Sequence, residues 1–164
     1  MVLKGCVVGT GVSGDGLRVG CNDVCAGRGT AMSRNVETVN ELYACFGRGD
    51  VPGILGRLDP DVEWEHDWGG EPLPLYVPRR GREAAAGFFK ALSEFDFLRF
   101  EPVAFLEGGD MVAVPIHSEV RDKASGREFR DLEMHLWTFG PDGLVRRFRH
   151  FGDTHQFAKM AGLP

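Results

Sequence analysis

The amino-acid sequence predicts an α+β domain, with helices in its first half and an antiparallel sheet in its second. Two segments, 35–48 and 82–95, repeat apolar residues with the 3.6-residue period of an amphipathic helix. From residue 97 onward the chain alternates apolar and polar residues in runs that are separated by short glycine-containing turns. Helices followed by a run of strands are typical of helices packed on one face of an antiparallel sheet.

The helices of the first half have recognisable ends. Ser33 is a suitable N-cap for the first helix, and Gly49 marks its end. A short second helix is expected from about Val51 to Leu58, and the third covers 82–95.

One strand lies between the second and third helices. In the run Val62–Trp68, apolar and aromatic residues alternate with Glu63, Glu65 and Asp67. Segment 69–78 is rich in proline and glycine, which predicts a loop with at most an edge strand.

The second half contains four strands joined by hairpin turns, followed by a short helix. The turns contain Gly, Asp or Ser, which favour tight reversals, and Asp153 can cap the last helix, 154–160. The predicted strands are 97–106, 111–121, 129–139 and 144–151.

Residues 1–31 are expected to form a flexible, glycine-rich leader outside a single domain of residues 32–164. The leader has few large apolar residues to offset the entropy of ordering. Its motif Gly9-x-Gly11-x-x-Gly14 has the spacing of a dinucleotide-binding turn, but no helical period follows, so we expect no cofactor there.

Charge and hydropathy limit the partners of this chain. The net charge is −5, which opposes the phosphate neutralisation on which nucleic-acid binding depends. No apolar run approaches the length of a membrane span. Cys45 is the one cysteine of the domain, which excludes a disulfide within it and fits a reducing cytoplasm. We therefore expect a cytoplasmic protein that contacts neither nucleic acid nor membrane.

The strand alternation leaves two arrangements of the sheet open. On strand 111–121, His117 and Glu119 lie opposite an aliphatic face, and on strand 129–139, Glu133 and His135 do the same. Either the His/Glu faces are solvated and the aliphatic faces form the core, or the His/Glu faces line a pocket and the aliphatic faces pack in a dimer. In the second arrangement the outer aliphatic rows are Val112, Val114, Ile116, Leu132, Met134 and Leu136.

Three stretches, 42–64, 81–92 and 135–154, resemble the nuclear transport factor 2-like superfamily. This superfamily includes ketosteroid isomerases, SnoaL-like polyketide cyclases and limonene epoxide hydrolases. The resemblance implies a cone, in which a strongly curved antiparallel sheet wraps around three helices and leaves a pocket at the open end. It also implies a homodimer, and a short C-terminal helix follows the cone here.

The resemblance favours the arrangement in which the His/Glu faces line the pocket. It places His66 at the position of the isomerases' general-base aspartate and His135 at that of their hydrogen-bond-donating acid. Their oxyanion tyrosine falls on Leu42, and Tyr43 is expected to point elsewhere. Because the acid and that tyrosine are both replaced, the isomerase mechanism itself is not implied.

The candidate residues still form a chemically coherent set. Histidine can act as base or acid at neutral pH because its ordinary pKa is about 6.5, and a glutamate can orient it by accepting its second N–H. Tryptophan and phenylalanine would form walls for a small, largely apolar molecule. The predicted catalytic residues are His66, His135, His150 and Glu119, and the predicted substrate-binding residues are Trp64, Trp68, His117, Glu133, Trp137 and Phe148.

These residues predict a cofactor-independent acid–base enzyme, an isomerase, cyclase, dehydratase or hydrolase, with His66 as base and His135 or His150 as proton donor. Two other hypotheses stay open. One is a non-catalytic binding or dimerisation module with the same fold, because one fold hosts many functions. The other is a metal enzyme that uses the same-face pairs His117-x-Glu119 and Glu133-x-His135.

Overall fold

A computed structural model describes residues 33–66 and 74–162, without the side chains of His66 and Pro74. The predicted leader and Trp68 therefore lie outside the described residues. The predicted order of elements is confirmed. The helices are α1 (Arg34–Arg48), α2 (Val51–Leu55), α3 (Arg82–Leu92) and α4 (Thr154–Met160). The strands are β1 (Leu58–His66), β2 (Arg79–Arg80), β3 (Phe95–Pro102), β4 (Leu106–Gly108), β5 (Met111–Asp122), β6 (Glu128–Phe139) and β7 (Val145–Phe151).

The seven strands form one curved, unclosed sheet. Its order is β2-β1-β7-β6-β5-β3, and β4 pairs with β5 beyond the end of β3. All neighbouring strands are antiparallel except β1 and β7, which run parallel. Because β1 pairs with β7, a strand from the first half of the chain lies beside the last strand, and residues far apart in sequence are neighbours in one sheet.

The predicted helix caps are present. The Ser33 side chain accepts a hydrogen bond from the Val36 N–H, and Asp153 accepts one from the Gln156 N–H, so each satisfies a free donor of its helix. Gly49 ends α1 in the left-handed conformation, with φ at 71°, which a side chain would disfavour. None of the described helices combines the length and apolarity that crossing a membrane requires.

The core lies between the concave face of the sheet and the helices. Its main cluster joins α1 and α3 to the sheet through residues such as Val39, Ala85 and Trp64. A second cluster near α4 contains Tyr76, Phe129 and Phe157 among others. The short turn of 3-10 helix at Pro74–Tyr76 supplies Tyr76 from the segment predicted as a loop.

The boundaries differ from the prediction at three main places. Helix α3 ends at Leu92 rather than at residue 95, and β3 begins at Phe95. Helix α2 ends at Leu55, and β1 begins at Leu58, because the backbone there already pairs with Val145 of β7. The strand predicted over 97–106 is divided into β3 and β4. These two pair with different halves of the longer β5, so the chain is interrupted between them.

The predicted orientation of His117 and Glu119 is wrong. Paired residues of an antiparallel ladder project to the same side of the sheet, and the register pairs Ile116 with Glu133 and His117 with Leu132. Leu132 is 58% exposed, whereas Ile116 is fully buried. His117 and Glu119 therefore lie on the outer face, where Glu119 forms an ion pair with Arg130 at 2.6 Å.

The same register shows that each of the two arrangements predicted from strand alternation is wrong for one of the two strands. Strand β5 turns its aliphatic side inward, and β6 turns its His/Glu side inward, so the core contains one of each. Val112, Val114 and Ile116 are fully buried and are not part of an outer patch. The apolar residues that remain on the outer face of these strands, the outer apolar patch, are Ala113, Pro115, Leu132, Met134, Leu136 and Phe151.

Candidate active site

A cavity of about 90 Å³ lies between the helices and the concave face of the sheet. Its wall is mostly aromatic with some aliphatic side chains, and none of the described residues that line it is Lys or Arg. The aromatic lining consists of Tyr43, Phe46, Trp64, Tyr76, Phe88, Phe89, Phe95, Phe97, Phe100, Phe129, Trp137, Phe148 and Phe157. Such a surface suits an apolar, ring-shaped molecule.

A compact polar cluster occupies one side of this cavity. The register pairs His135 of β6 with His150 of β7, and Glu133 lies two residues earlier on the same face of β6. The His150 Nε2 atom lies 3.0 Å from Glu133 Oε2, and the His135 Nε2 atom lies 3.6 Å from Glu133 Oε1. Glu133 is only 8% exposed, so two imidazoles face one buried carboxylate.

Tyr43 of α1 extends the cluster toward the helices. The Trp137 Nε1–H donates a hydrogen bond to the Tyr43 oxygen at 3.0 Å. The same oxygen lies 3.2 Å from His135 Nδ1. Five polar side chains thus form one continuous row of contacts, which runs from Trp137 through Tyr43, His135 and Glu133 to His150.

Burial and hydrogen bonding set the charges in this row. Burial raises the pKa of the Glu133 carboxyl, but hydrogen bonds from His135 and His150 outweigh it, so its pKa lies below the ordinary value. Burial lowers the pKa of His135, although Glu133 opposes this change. Burial also raises the pKa of Tyr43. At neutral pH the cluster thus contains a carboxylate, a neutral His135 and a protonated phenol.

These charges assign the protons around His135. A carboxylate only accepts hydrogen bonds, so the Nε2 atom facing Glu133 has the proton. The Nδ1 atom of the neutral ring then accepts a hydrogen bond, and the Tyr43 hydroxyl donates it. If His135 gains a proton, Nδ1 becomes a donor to the Tyr43 oxygen. The hydrogen bond between Tyr43 and His135 can therefore reverse its direction, without movement of a heavy atom, when His135 gains a proton.

Two further side chains of the wall have hydrogen-bonding groups. The Tyr76 ring stacks on His150, with centroids 6.0 Å apart and planes 20° apart. Trp64 is 1% exposed, and its Nε1–H has no hydrogen-bond partner within the described part of the chain. A buried donor without a partner costs free energy, so an oxygen atom of a ligand in this cavity would be a favourable acceptor.

The structure brings together most of the predicted site residues. Trp64, Glu133, His135, Trp137, Phe148 and His150 line the cavity. His117 and Glu119 lie on the outer face, beside a separate polar depression. Trp68 lies outside the described residues. For His66 only the backbone is described, and it is in register with His150.

Sequence reasoning missed two residues of the site. The expectation that Tyr43 points elsewhere is wrong, because Tyr43 lines the cavity. On α1, an apolar stripe runs through Val36, Val39, Tyr43 and Phe46, at positions i, i+3, i+7 and i+10. That spacing could have identified Tyr43 as a residue that faces the core. Tyr76 lies in a proline-rich segment without a regular period, so no comparable signal existed.

The family model described as SnoaL-like domain matches residues 39–148 of this chain. That range contains Tyr43, Glu133, His135 and Phe148, and it ends two residues before His150. A comparison with curated proteins found no match.

Several solved structures share the fold. An NTF2-like protein of unknown function from Burkholderia pseudomallei is 30% identical, with a TM-score of 0.72, over 79% of this chain and 98% of that one. TerC, co-crystallised with polyporic acid, is 30% identical with a TM-score of 0.70 over 79% and 99%. SalBIII, an epoxide hydrolase/cyclase-like enzyme with a role in pyran ring formation in the polyether salinomycin, is 22% identical with a TM-score of 0.61 over 75% and 93%.

Proposed function

The chain belongs to the SnoaL-like domain family, and from that premise we propose that its cavity is the active site of a cofactor-independent acid–base enzyme. The reaction would be an isomerisation, cyclisation, dehydration or hydrolysis of a small, largely apolar molecule. The observation that supports this proposal most strongly is the carboxylate of Glu133, buried between His135 and His150 on the wall of an aromatic cavity. Buried titratable groups that shift one another's pKa in a cavity are typical of catalytic sites.

The substrate is proposed to be neutral. Glu133 is ionised, and none of the described lining residues is Lys or Arg, so a carboxylate or phosphate group would enter without a counter-charge. The cavity of about 90 Å³ is smaller than the roughly 150 Å³ that accommodates benzene in an engineered protein. A ring-shaped substrate would therefore require some lining side chains to move. The TerC structure with polyporic acid supports an organic ligand, since that relative shares the fold at 30% identity.

The roles follow from the proton positions. The His150 imidazole would accept a proton from a carbon or a water of the substrate complex, and Glu133 would stabilise the imidazolium that forms. In the resting site the Tyr43 hydroxyl donates its one proton to His135 Nδ1. Once His135 gains a proton, Nδ1–H would donate to the Tyr43 oxygen instead, and the hydroxyl would then donate a hydrogen bond to the oxygen on which negative charge develops. The Trp64 N–H, which has no partner within the described residues, would donate to any substrate oxygen that reaches it.

His66 is kept in the proposal as an additional base. Its backbone is in register with His150 on the neighbouring strand, so the two residues occupy equivalent positions along β1 and β7. The resemblance to the isomerases places their general base at the same position. The variant His66→Ala therefore belongs in the test of this function.

The test is a turnover screen of enolisable ketones and epoxides with protein treated with a chelator. We expect His150→Ala and Glu133→Gln to lower kcat by about 10²- to 10⁴-fold, the usual contribution of a general acid or base. His117→Ala is the matched control, because it removes an imidazole from the outer face of the same sheet. Equal turnover by the wild type and both cavity variants would contradict the proposal, and binding without turnover would favour a binding module.

A further inference from the structure

We propose that Glu133, His135 and His150 form a binding site for a divalent transition-metal ion. This inference concerns binding and does not rest on the proposed reaction. It starts from the arrangement of the ligand atoms, because one oxygen and two ring nitrogens of these residues all lie within 4.8 Å of one another. Two imidazoles and one carboxylate are a ligand set that Zn²⁺ and Fe²⁺ accept.

Each imidazole contacts a different oxygen of the Glu133 carboxylate, and these two separations can be compared with those around a bound ion. Two ligands at about 2.1 Å from one ion lie about 3.4 Å apart in tetrahedral geometry, from the usual zinc distances. The His150 Nε2–Glu133 Oε2 distance is 3.0 Å, and the His135 Nε2–Glu133 Oε1 distance is 3.6 Å. The ion would replace the two N–H protons that now point at Glu133. Since the three ligand atoms lie within 4.8 Å of one another, side-chain rotations would have to bring them closer to reach the tetrahedral spacing.

The surroundings of His135 match those of a metal ligand. A metal-bound histidine usually donates its other ring N–H to a fixed acceptor, which orients the ring. Here Nδ1 lies 3.2 Å from the Tyr43 oxygen, and Trp137 fixes that oxygen through a hydrogen bond of 3.0 Å. With Nε2 bound to the ion, the Nδ1–H would donate to Tyr43. For His135, the outer contact that orients a metal-bound imidazole is therefore already present.

The charge of the cluster also favours a cation. Among the described residues, the titratable groups that interact with the carboxylate of Glu133 are His135, His150, Tyr43 and Tyr76, and none of these four has a permanent positive charge. A buried carboxylate is stabilised by a counter-charge. Three protein ligands leave positions open toward the cavity, as in catalytic rather than structural zinc sites. A bound ion and a mobile proton would compete for the same ring nitrogens.

The experiment is equilibrium dialysis of the full-length chain against Zn²⁺, followed by metal analysis. Cys6, Cys21 and Cys25 lie outside the described residues and can bind zinc by themselves, so the informative quantity is the difference between variants. We expect the wild type to bind one more equivalent than His150→Ala, and His117→Ala to bind as the wild type does. Tyr43→Phe should lower the zinc affinity of this site by about 10- to 100-fold, as the loss of a side chain that orients a metal ligand does.

A second measurement keeps the inference testable if His150→Ala does not fold. The visible absorption of Co²⁺ distinguishes nitrogen and oxygen ligands from thiolates, and X-ray absorption of the wild type counts the imidazoles around the ion. Two imidazoles would support the site. Equal zinc stoichiometry and affinity in the wild type, His150→Gln and Glu133→Gln, or a shell of sulfur alone, would overturn it. Turnover by the chelator-treated protein is a separate result, so the failure of one proposal does not imply that of the other.

Discussion

The hydroxyl group of Tyr43 is expected to stabilise the fold as well as the site, and Tyr43→Phe isolates its contribution. The Phe ring would keep the edge-to-face contact with Phe100, whose centroid lies 5.4 Å away. Only the oxygen between Trp137 Nε1 and His135 Nδ1 is lost. The change therefore separates hydrogen bonding from packing.

The expected cost follows from the groups that are left without a partner. Trp137 is 4% exposed, so its N–H would stay buried without an acceptor, and His135 Nδ1 would lose its donor. One unsatisfied buried group costs about 1–3 kcal/mol. The oxygen itself no longer has to be desolvated, which offsets part of that cost. We expect a loss of about 2 kcal/mol in the free energy of unfolding, or about 4–8 °C in Tm for a chain of this size.

Urea denaturation followed by far-UV circular dichroism measures this loss without depending on tryptophan fluorescence. A double-mutant cycle of Tyr43→Phe and Trp137→Phe serves as the control, because it cancels the packing that each single change disturbs. We expect a coupling energy of about 1 kcal/mol. A loss below about 0.5 kcal/mol in Tyr43→Phe, the range of ordinary surface substitutions, would refute the reasoning.

Two further predictions concern acid stability and association. Because the pKa of Glu133 is lowered in the folded state, its stabilisation is fully present above the unfolded pKa of about 4.3 and is lost as the pH falls below it. The difference in unfolding free energy between the wild type and Glu133→Gln should therefore become smaller from pH 5 to pH 3, two values about one unit above and below that pKa. Urea titrations at both pH values measure this difference, and a constant difference would contradict the prediction. The outer apolar patch predicts a homodimer of about 36 kDa by light scattering, twice the 18.1 kDa of the chain. Met134→Asp should give monomers by burying an unpaired charge, and a monomeric wild type would count against the patch as an interface.

Much of the candidate site could be predicted from local sequence. The two-residue period of a strand places Glu133, His135 and Trp137 on one face of β6, whatever the rest of the fold does. The resemblance to a known fold then placed that face inside the cone. The caps at Ser33 and Asp153 are equally local, since each depends on side-chain oxygens within one turn of a helix.

The direction in which each strand faces was decided only by the tertiary structure. Alternation defines two faces of β5 and of β6, but a shift of one residue in their pairing exchanges the side that meets the core. The register pairs Val114 with His135, so an aliphatic face and a polar face point inward together. Burial of the β5 aliphatic side chains favours one face, and the polar groups of β6 are tolerated inside because they hydrogen-bond to one another and to Tyr43.

Local sequence accounts for the order of the main elements, the caps at Ser33 and Asp153 and the grouping of side chains on each strand, because these depend on neighbours within a few residues. The tertiary structure decided that His117 faces outward, that Tyr43 reaches His135 across 92 residues, and that His150 meets Glu133. These contacts depend on strand register and on the packing of α1 against the sheet. Both are set by the total apolar surface that folding buries, a quantity that no local pattern contains.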